Sequence, residues 1–427
     1  MPYKTLKTRL YLGDHQHAFL LSLMRASKNL YNQALYHVRQ HFIHHGAYLS
    51  YNQNYHLLKD SENYLYLSST QAQMVIRKVD EAMKAFFGSL KKKNDRRVSL
   101  PRYLKKDALY PLFDRMVYKP DKSIYTLPRS HFIKKVSKEL ELGDQQIQKY
   151  TDELDHIDSL SLDINTPECI RHKRIKEITI KPLFDGRYIE VFYVYIDRPD
   201  RAITSAHKET MGIDFGYNNL AFCSTTSDKH ILIDGKRLKS MNQFYHKRIA
   251  KLASVRPNNN VLTRKMIACT DKRNQQMTYG IYKAAKLIVD FALREGVKNI
   301  VMGYNENFKD ERLSDAYNQW TKQIPMARLR DRIIYLAKQV GIESKVVNEA
   351  YTSRASYLDQ DELARGEFSG TRVKRGLYRS KKGVLINADQ NAALNMIRKG
   401  NPDAKWIGDK GVNTPKRTYL FGMNRFE

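Results

Sequence analysis

Cysteine is nearly absent: the 427 residues hold three, Cys169, Cys223 and Cys269. They lie far apart and form no CxxC pair, which excludes a disulfide framework, argues against a zinc ribbon and suits a reducing cytosol. Long apolar runs are missing as well. None approaches the length of a membrane-spanning helix, and the start MPYKTLKTRL lacks the apolar centre of a secretory signal, so no membrane partner is expected. Acidic residues are scarce. Asp and Glu number 45 against 74 Lys and Arg, a net charge of +29 with a pI near 9.8. An excess of this size makes a strong field for a polyanion, and nucleic acid is the commonest polyanion a soluble protein meets. What is present, 42% hydrophobic and 28% charged residues, is enough for two or three domains with their own cores and excludes a disordered chain. There is no internal repeat and no low-complexity tail.

Residues 3–12 alternate as a strand does, and Gly13-Asp14 ends them. Apolar residues then recur at helical spacing from about 15 to 45. A second helix is expected from about Ser69 to Lys91, with Ser68–Gln71 or Thr70–Gln73 spaced for a capping box. The stretch 91–111 is basic, carries two prolines and has no helical period, and is expected to be loop and strand. Strands follow at 176–183 and 187–196. After Arg201 the pattern turns α/β: strands at 211–219, 220–226 and 231–235, a helical hairpin at about 241–255 and 260–296, a strand at 297–303, a helix at 325–340 and a strand at 343–350. A basic insert precedes a last helix at 389–400, with Gly400 expected just past its end.

Phosphodiester hydrolysis uses divalent cations to stabilise charge on the attacking and leaving oxygens, and hard cations take carboxylate ligands. Three acids stand where strands or helices end. Asp214 lies in MGIDFGYNN, Glu349 in KVVNEAYTS, and Asp389 in INADQNAALN. Each also has an ordinary explanation: a turn aspartate, a solvated strand-end glutamate, a helix-start acid.

The chain resembles TnpB, a family of insertion-sequence proteins often labelled transposases and related to compact type V CRISPR effectors. The resemblance runs over nearly the whole length. It is carried by LSSTQAQMVIRKVDEAMKAFF (67–87), PRYLKKDALYP (101–111), GIDFGYNN (212–219) and RGLYRSKKGVLINADQNAALNMIRK (375–399). It implies a bilobed protein. One half is a β-barrel-like wedge domain (1–12 and 95–205) with a helical recognition insertion (13–94). The other is an α/β RNase H-like (RuvC) nuclease domain (206–400) with a cysteine-free insert at 350–386, followed by a basic tail (401–427). The activity implied is RNA-guided DNA cleavage beside a short flanking motif by a single RuvC site. Two Mg2+ ions, or Mn2+ in their place, a guide RNA and double-stranded target DNA go with it. The protein would be a monomer in the ribonucleoprotein, cytoplasmic in a bacterium and nucleoid-associated when bound.

Two departures matter. The family's second acid ends the strand that reads VKNIVMG here, where this chain has Gly303. In an RNase H-like sheet the strand ending at Glu349 runs parallel and adjacent, about 4.8 Å away. A glutamate there can reach a metal the neighbouring strand would have served, and glycine at 303 leaves its path open. Asp214, Glu349 and Asp389 are therefore the expected catalytic and metal-binding triad, with Glu306 as the alternative. Second, relatives carry two CxxC pairs where residues 350–386 hold neither cysteine nor histidine, so no zinc is expected. His37, His41, His44 and His45 share a helical face but lack an acid to complete a metal site, and read as an RNA-facing stripe.

For nucleic acid, Lys91, Lys92, Lys93, Arg96, Arg97, Arg102, Lys105 and Lys106, interleaved with Tyr103 and Tyr110, fit a phosphate-tracking groove with stacking surfaces. Arg372 and Arg375, with Lys374, Arg379, Lys381 and Lys382, precede Asp389 and could guide a strand toward it. By position in the family Ser69, Gln73 and Arg77 would face the flanking motif. One rival is a nuclease-dead, RNA-guided transcriptional repressor, which would not need Asp214 and Asp389. The other is a DNA transposase, for which only His15-Gln16-His17 has suitable spacing. The charge makes a direct prediction. Nucleic-acid affinity, measured by filter binding, falls at least about 100-fold between 50 and 200 mM salt.

Overall fold

The alternating strand Tyr3–Leu10 (β1) gives way at Gly13 to a 32-residue helix, Asp14–His45 (α1), which closes at Gly46 in the left-handed region (φ +62°). Leu20, Leu23, Met24, Leu30, Ala34, Leu35 and Val38 recur on one face of α1 and are buried. The computed structural model describes residues 3–91, 98–115, 124–127, 162–197, 203–204, 206–255, 262–304, 323–407 and 415–421. The chain divides into two units, Met1–Arg198 and Pro199–Glu427.

In the first unit, Tyr51–Leu58 (α2) opens on a Ser50–Gln53 capping box, Glu62–Leu65 (α3) is one turn, and Ser69–Lys91 (α4) is long and amphipathic. Ser68 caps α4, its hydroxyl accepting the Gln71 N–H at 3.3 Å. Strands Leu112–Asp114 (β2), Arg174–Leu183 (β5) and Tyr188–Ile196 (β6) join β1 in an antiparallel sheet of order β1-β6-β5-β2. Ile124–Leu127 (β3) pairs separately with Leu162–Asn165 (β4). Among the described residues this is an open sheet rather than the expected barrel, because β2 offers an edge of only three residues. Ile178, Ile180, Val191 and Tyr193 of the sheet share one core with α1 and α4, so residues 13–94 have no separate core. The stretch 101–111 forms no strand. Its backbone is tied to α1 instead: Asn32 exchanges bonds of 2.8 and 2.9 Å with Leu104, and Ser27 donates to Pro111 O at 3.0 Å.

The second unit is built on a six-stranded mixed sheet. Glu209–Phe215 (β7), Asn219–Thr225 (β8) and His230–Asp234 (β9) form an antiparallel meander. Lys236–Ser254 (α5) and Arg264–Arg294 (α6) are the expected hairpin. Val297–Tyr304 (β10) pairs parallel to β7, Met326–Gln339 (α7) follows, and Glu343–Asn348 (β11) pairs parallel to β10. The insert folds as Thr371–Lys374 (β12), Leu377–Arg379 (β13) and Leu385–Asn387 (β14), and Ala388–Gly400 is the last helix (α8). Residues 401–427 are not simply a tail. Lys416–Tyr419 (β15) adds parallel to β9, giving the order β11-β10-β7-β8-β9-β15. An unpaired β9 edge offers backbone donors and acceptors that a strand satisfies.

Alternation on β7 sorts its two faces. Met211 and Ile213 join the core of Ile281, Ala285 and Ile288 on α6, whereas Gly212 faces α8. A β-carbon on Gly212 would meet the Ala393 carbonyl oxygen at 2.0 Å. Gly400 is likewise a packing residue and not the expected residue beyond the helix. It is the last helical position, Asn401 caps, and a β-carbon at 400 would meet Val301 at 2.4 Å. Gly212→Ala therefore forces helix and strand apart, and urea denaturation is expected to show a loss of about 3 kcal/mol.

Candidate active site

Asp214 occupies the next-to-last position of β7, opposite Phe222 of β8. Asp389 is in the first turn of α8 but does not cap it. Asn387 does, accepting the N–H groups of Asp389 at 2.9 Å and Gln390 at 3.3 Å. The Asp389 carboxylate is thus free of the cap and takes a 2.6 Å bond from Asn219 Nδ2, while Arg372 lies 3.9 Å from its other oxygen. Glu349 follows β11 by one residue. Gly303 pairs with Val347 across the parallel ladder, and a β-carbon on Gly303 would lie 3.1 Å from that of Glu349 and 2.5 Å from the Met396 methyl. The space a side chain at 303 would need is filled by Glu349 and Met396.

Burial pushes the Asp214 carboxyl well above the usual range. The charges of Asp389 and Glu349 push it the same way, and Arg372 opposes them. Asp214 therefore feels both other acids. In donor chemistry they suit a hard divalent cation, whose charge would relieve this crowding. As they stand, no three Asp, Glu, His or Cys side chains among the described residues are grouped closely enough to enclose an ion.

A cavity of about 420 Å³ opens beside Asp214 and Asp389. Arg372, Arg375, Lys236 and Arg417 line it together with Phe215 and Tyr217, while Glu349 stands outside the lining. Arg375 donates from both terminal nitrogens to the Asn218 amide oxygen, at 3.2 and 3.0 Å, once that amide is turned to face it. Lys236, Arg417 and Asn219 escaped the sequence reading. Asn218 and Asn219 in GIDFGYNN were the available clue, since amides beside a strand-end acid can orient it. A second polar group fixes the start of α8: Asp228 accepts from Gln390 Nε2 at 3.1 Å and Trp406 Nε1 at 3.0 Å, with His230 Nε2 3.0 Å away.

The insert beside this cavity is held by two aspartates. Asp361 accepts from the amides of Ser356 (2.8 Å) and Ser369 (3.1 Å) and from the Ser369 hydroxyl. Asp359 accepts from the Ser356 hydroxyl (2.6 Å) and the Lys381 amide (2.7 Å). These bonds join the insert's first turn to the hairpin that carries Arg372 on β12 and Arg375 in its turn.

The other expected contacts are scattered. Arg102, Lys105 and Lys106 are exposed, and Tyr103 lies under the Arg39 guanidinium at 4.7 Å. Tyr110 is not a stacking surface: its ring packs 4.7 Å from Tyr31 inside the first core. Ser69 is exposed, Gln73 bonds to Tyr64, and Arg77 sits over Tyr51 at 5.1 Å. His17, whose ring bonds to Gly186 O at 2.7 Å, has a structural partner. Lys92, Lys93, Arg96, Arg97 and Glu306 lie outside the described residues.

Comparison with known proteins adds two family matches. A family described as a probable transposase matches residues 193–309, and the Cas12f1-like TNB domain matches residues 327–396. Together these matches support a relation to the TnpB-like proteins. A Cas12f1 structure, solved as a complex with sgRNA and target DNA, aligns over 91% of this chain and 83% of its own at 15% identity and a TM-score of 0.57. The chain therefore shares the fold of that Cas12f1 chain. A CRISPR-Cas12f ternary complex aligns over 93% of this chain and 83% of its own, at 17% identity and a TM-score of 0.37, too distant to bear on the fold. No curated protein matches.

The insert yields a pH prediction. Burial raises the Asp361 pKa, but the bonds from Ser369 and Ser356 outweigh it and the net shift is downward. A depressed carboxyl stabilises above its unfolded pKa, about 3.9, and that stability is lost as pH falls through the lower folded value. Hydrogen exchange of residues 356–381 should therefore accelerate below about pH 4. In Asp361→Asn it should already be faster at neutral pH and change less on acidification.

Proposed function

We propose that the protein is an RNA-guided DNA endonuclease whose second unit is a RuvC-type, RNase H-like nuclease. The observation that supports this reading is that the charges of Asp389, at the start of α8, and Glu349, just past β11, both act on Asp214 near the end of β7. The sheet order supports it: an antiparallel meander flanked by two parallel strands, with α8 crossing the face that bears Asp214. Guide RNA and double-stranded target DNA are the proposed partners, in line with the charge of +29 and with what the Cas12f1 structure contains.

Asp214, Glu349 and Asp389 would hold Mg2+, or Mn2+, which when bound supplies charge stabilisation for the attacking and leaving oxygens of the phosphodiester. Asn219 keeps the Asp389 carboxylate oriented. Arg372, Arg375, Lys236 and Arg417 give the cavity a cationic wall against which a strand's phosphates can lie, and Phe215 and Tyr217 offer apolar surface to sugars or bases. Arg372 lies 3.9 Å from Asp389, and a phosphate on the wall would compete for the same guanidinium. The insertion-sequence association and cutting beside a flanking motif belong to this proposal too.

Plasmid cleavage by the reconstituted ribonucleoprotein tests it. Glu349→Gln keeps shape but removes the charge a hard cation needs, so cleavage should fall by several orders of magnitude, as in Asp214→Ala and Asp389→Ala, with RNA and target binding retained. Glu306→Gln should cut nearly as the wild type does. Activity in Glu349→Gln but not Glu306→Gln would move the acid to 306. An inert wild type with normal guided binding would favour a repressor.

A further inference from the structure

Helix α8 carries more than Asp389. Asn391, Asn395 and Lys399 recur every fourth residue and so share one stripe of the helix. Asn391 donates to Ala355 O at 2.8 Å and accepts from Tyr357 N–H at 2.9 Å. Asn395 donates to the carbonyls of Thr352 (3.0 Å) and Ala355 (2.7 Å). Lys399 Nζ donates to the carbonyls of Asn348 (2.9 Å) and Ala350 (2.8 Å). Read up the helix, the stripe follows the chain backward from 357 to 348. Both asparagines are fully buried, so each of their bonds replaces one that water would make.

The last of these contacts brackets Glu349, since its acceptors are the carbonyls on either side of that residue. The carbonyl of Glu349 itself accepts from Thr352, from the amide at 3.2 Å and the hydroxyl at 2.7 Å. Three successive carbonyls are thus held. The need is physical. β11 stands at the end of the sheet's strand order with β10 as its neighbour, and Glu349 lies one residue past its last ladder pair, Tyr304–Asn348. A strand inside the sheet has bonds on both sides to fix its end, whereas this one is braced from α8.

We infer that Lys399, backed by Asn395 and Asn391, is a positioning residue that fixes Glu349 relative to Asp389 and thereby sets the divalent-cation affinity of the site. This rests on the reading of Glu349 as a metal ligand. One helix then carries one acid and the brace for another, so their separation is built into a single rigid element.

The test uses the full chain with Mn2+ as probe, free Mn2+ being followed by EPR, and the site's own binding defined as that lost in Glu349→Gln. Lys399→Met keeps the stem and removes the donor. Its Mn2+ affinity should fall about tenfold, the loss typical of groups that orient metal ligands, while Lys399→Arg retains most of it. Hydrogen exchange at 349–357 should accelerate in Lys399→Met, with the remainder of α8 unchanged. A Lys399→Met chain that binds Mn2+ as the wild type does, or exchanges at the wild-type rate over 349–357, overturns the role alone. A wild type whose Mn2+ binding is untouched by Glu349→Gln overturns the metal reading, and this role with it.

Discussion

The contact between the Ala393 carbonyl and the bare Cα of Gly212 sets the rest of the second unit. It puts α8 directly on the backbone of β7, running against it, with Asn401 reaching Thr210 at the strand's start and Asp389 at the opposite end. From that contact Asp214 is two residues up the strand, a rise of about 6.6 Å. Asp389 is four residues back along the helix, a rise of about 6 Å. The two acids come level because the periods of strand and helix agree over this distance. A bulkier residue at 212 would lift the helix and separate them.

Around the acids the charge is graded. Asp214, half-buried, feels Asp389 and Glu349, and four basic side chains stand on the cavity wall beyond. Such an arrangement favours cations at its floor and phosphates at its wall, two demands that a uniformly basic cleft could not meet together. Arg372 is the point where they touch.

Regular elements were legible in the sequence wherever period and punctuation agreed. The span expected from Ser69 to Lys91 is the span observed, because an amphipathic stripe and the Ser68 cap mark it independently. Gly303 and Glu349 could be connected because adjacency of parallel strands is a rule of topology, and a β-carbon on Gly303 would lie 3.1 Å from that of Glu349. Tyr110 was misread: in a basic stretch an aromatic looks exposed, and its contact with Tyr31 is tertiary. The aspartates at 359 and 361 look like solvated loop residues until the serines they bind are brought near. Lys416–Tyr419, with two cations in four residues, carries no alternation that marks a strand, so Arg417 could not be placed at the cavity. The barrel expected of residues 1–12 and 95–205 rested on their strand-like runs as well as on resemblance, and β2 is too short to bear it out among the described residues.

Strand β15 also bears on how the second unit is assembled. Tyr419 pairs with Asp234, and nearly the whole unit lies between them in the chain. Contacts of such separation form late and slow folding, since the intervening loop must be closed before the ladder repays it. Until then the outer edge of β9, next to the meander that carries Asp214 and Asn219, presents open backbone groups to any other extended chain. The wall residue Arg417 sits on β15, so the cationic wall of the cavity is complete only once that strand has paired.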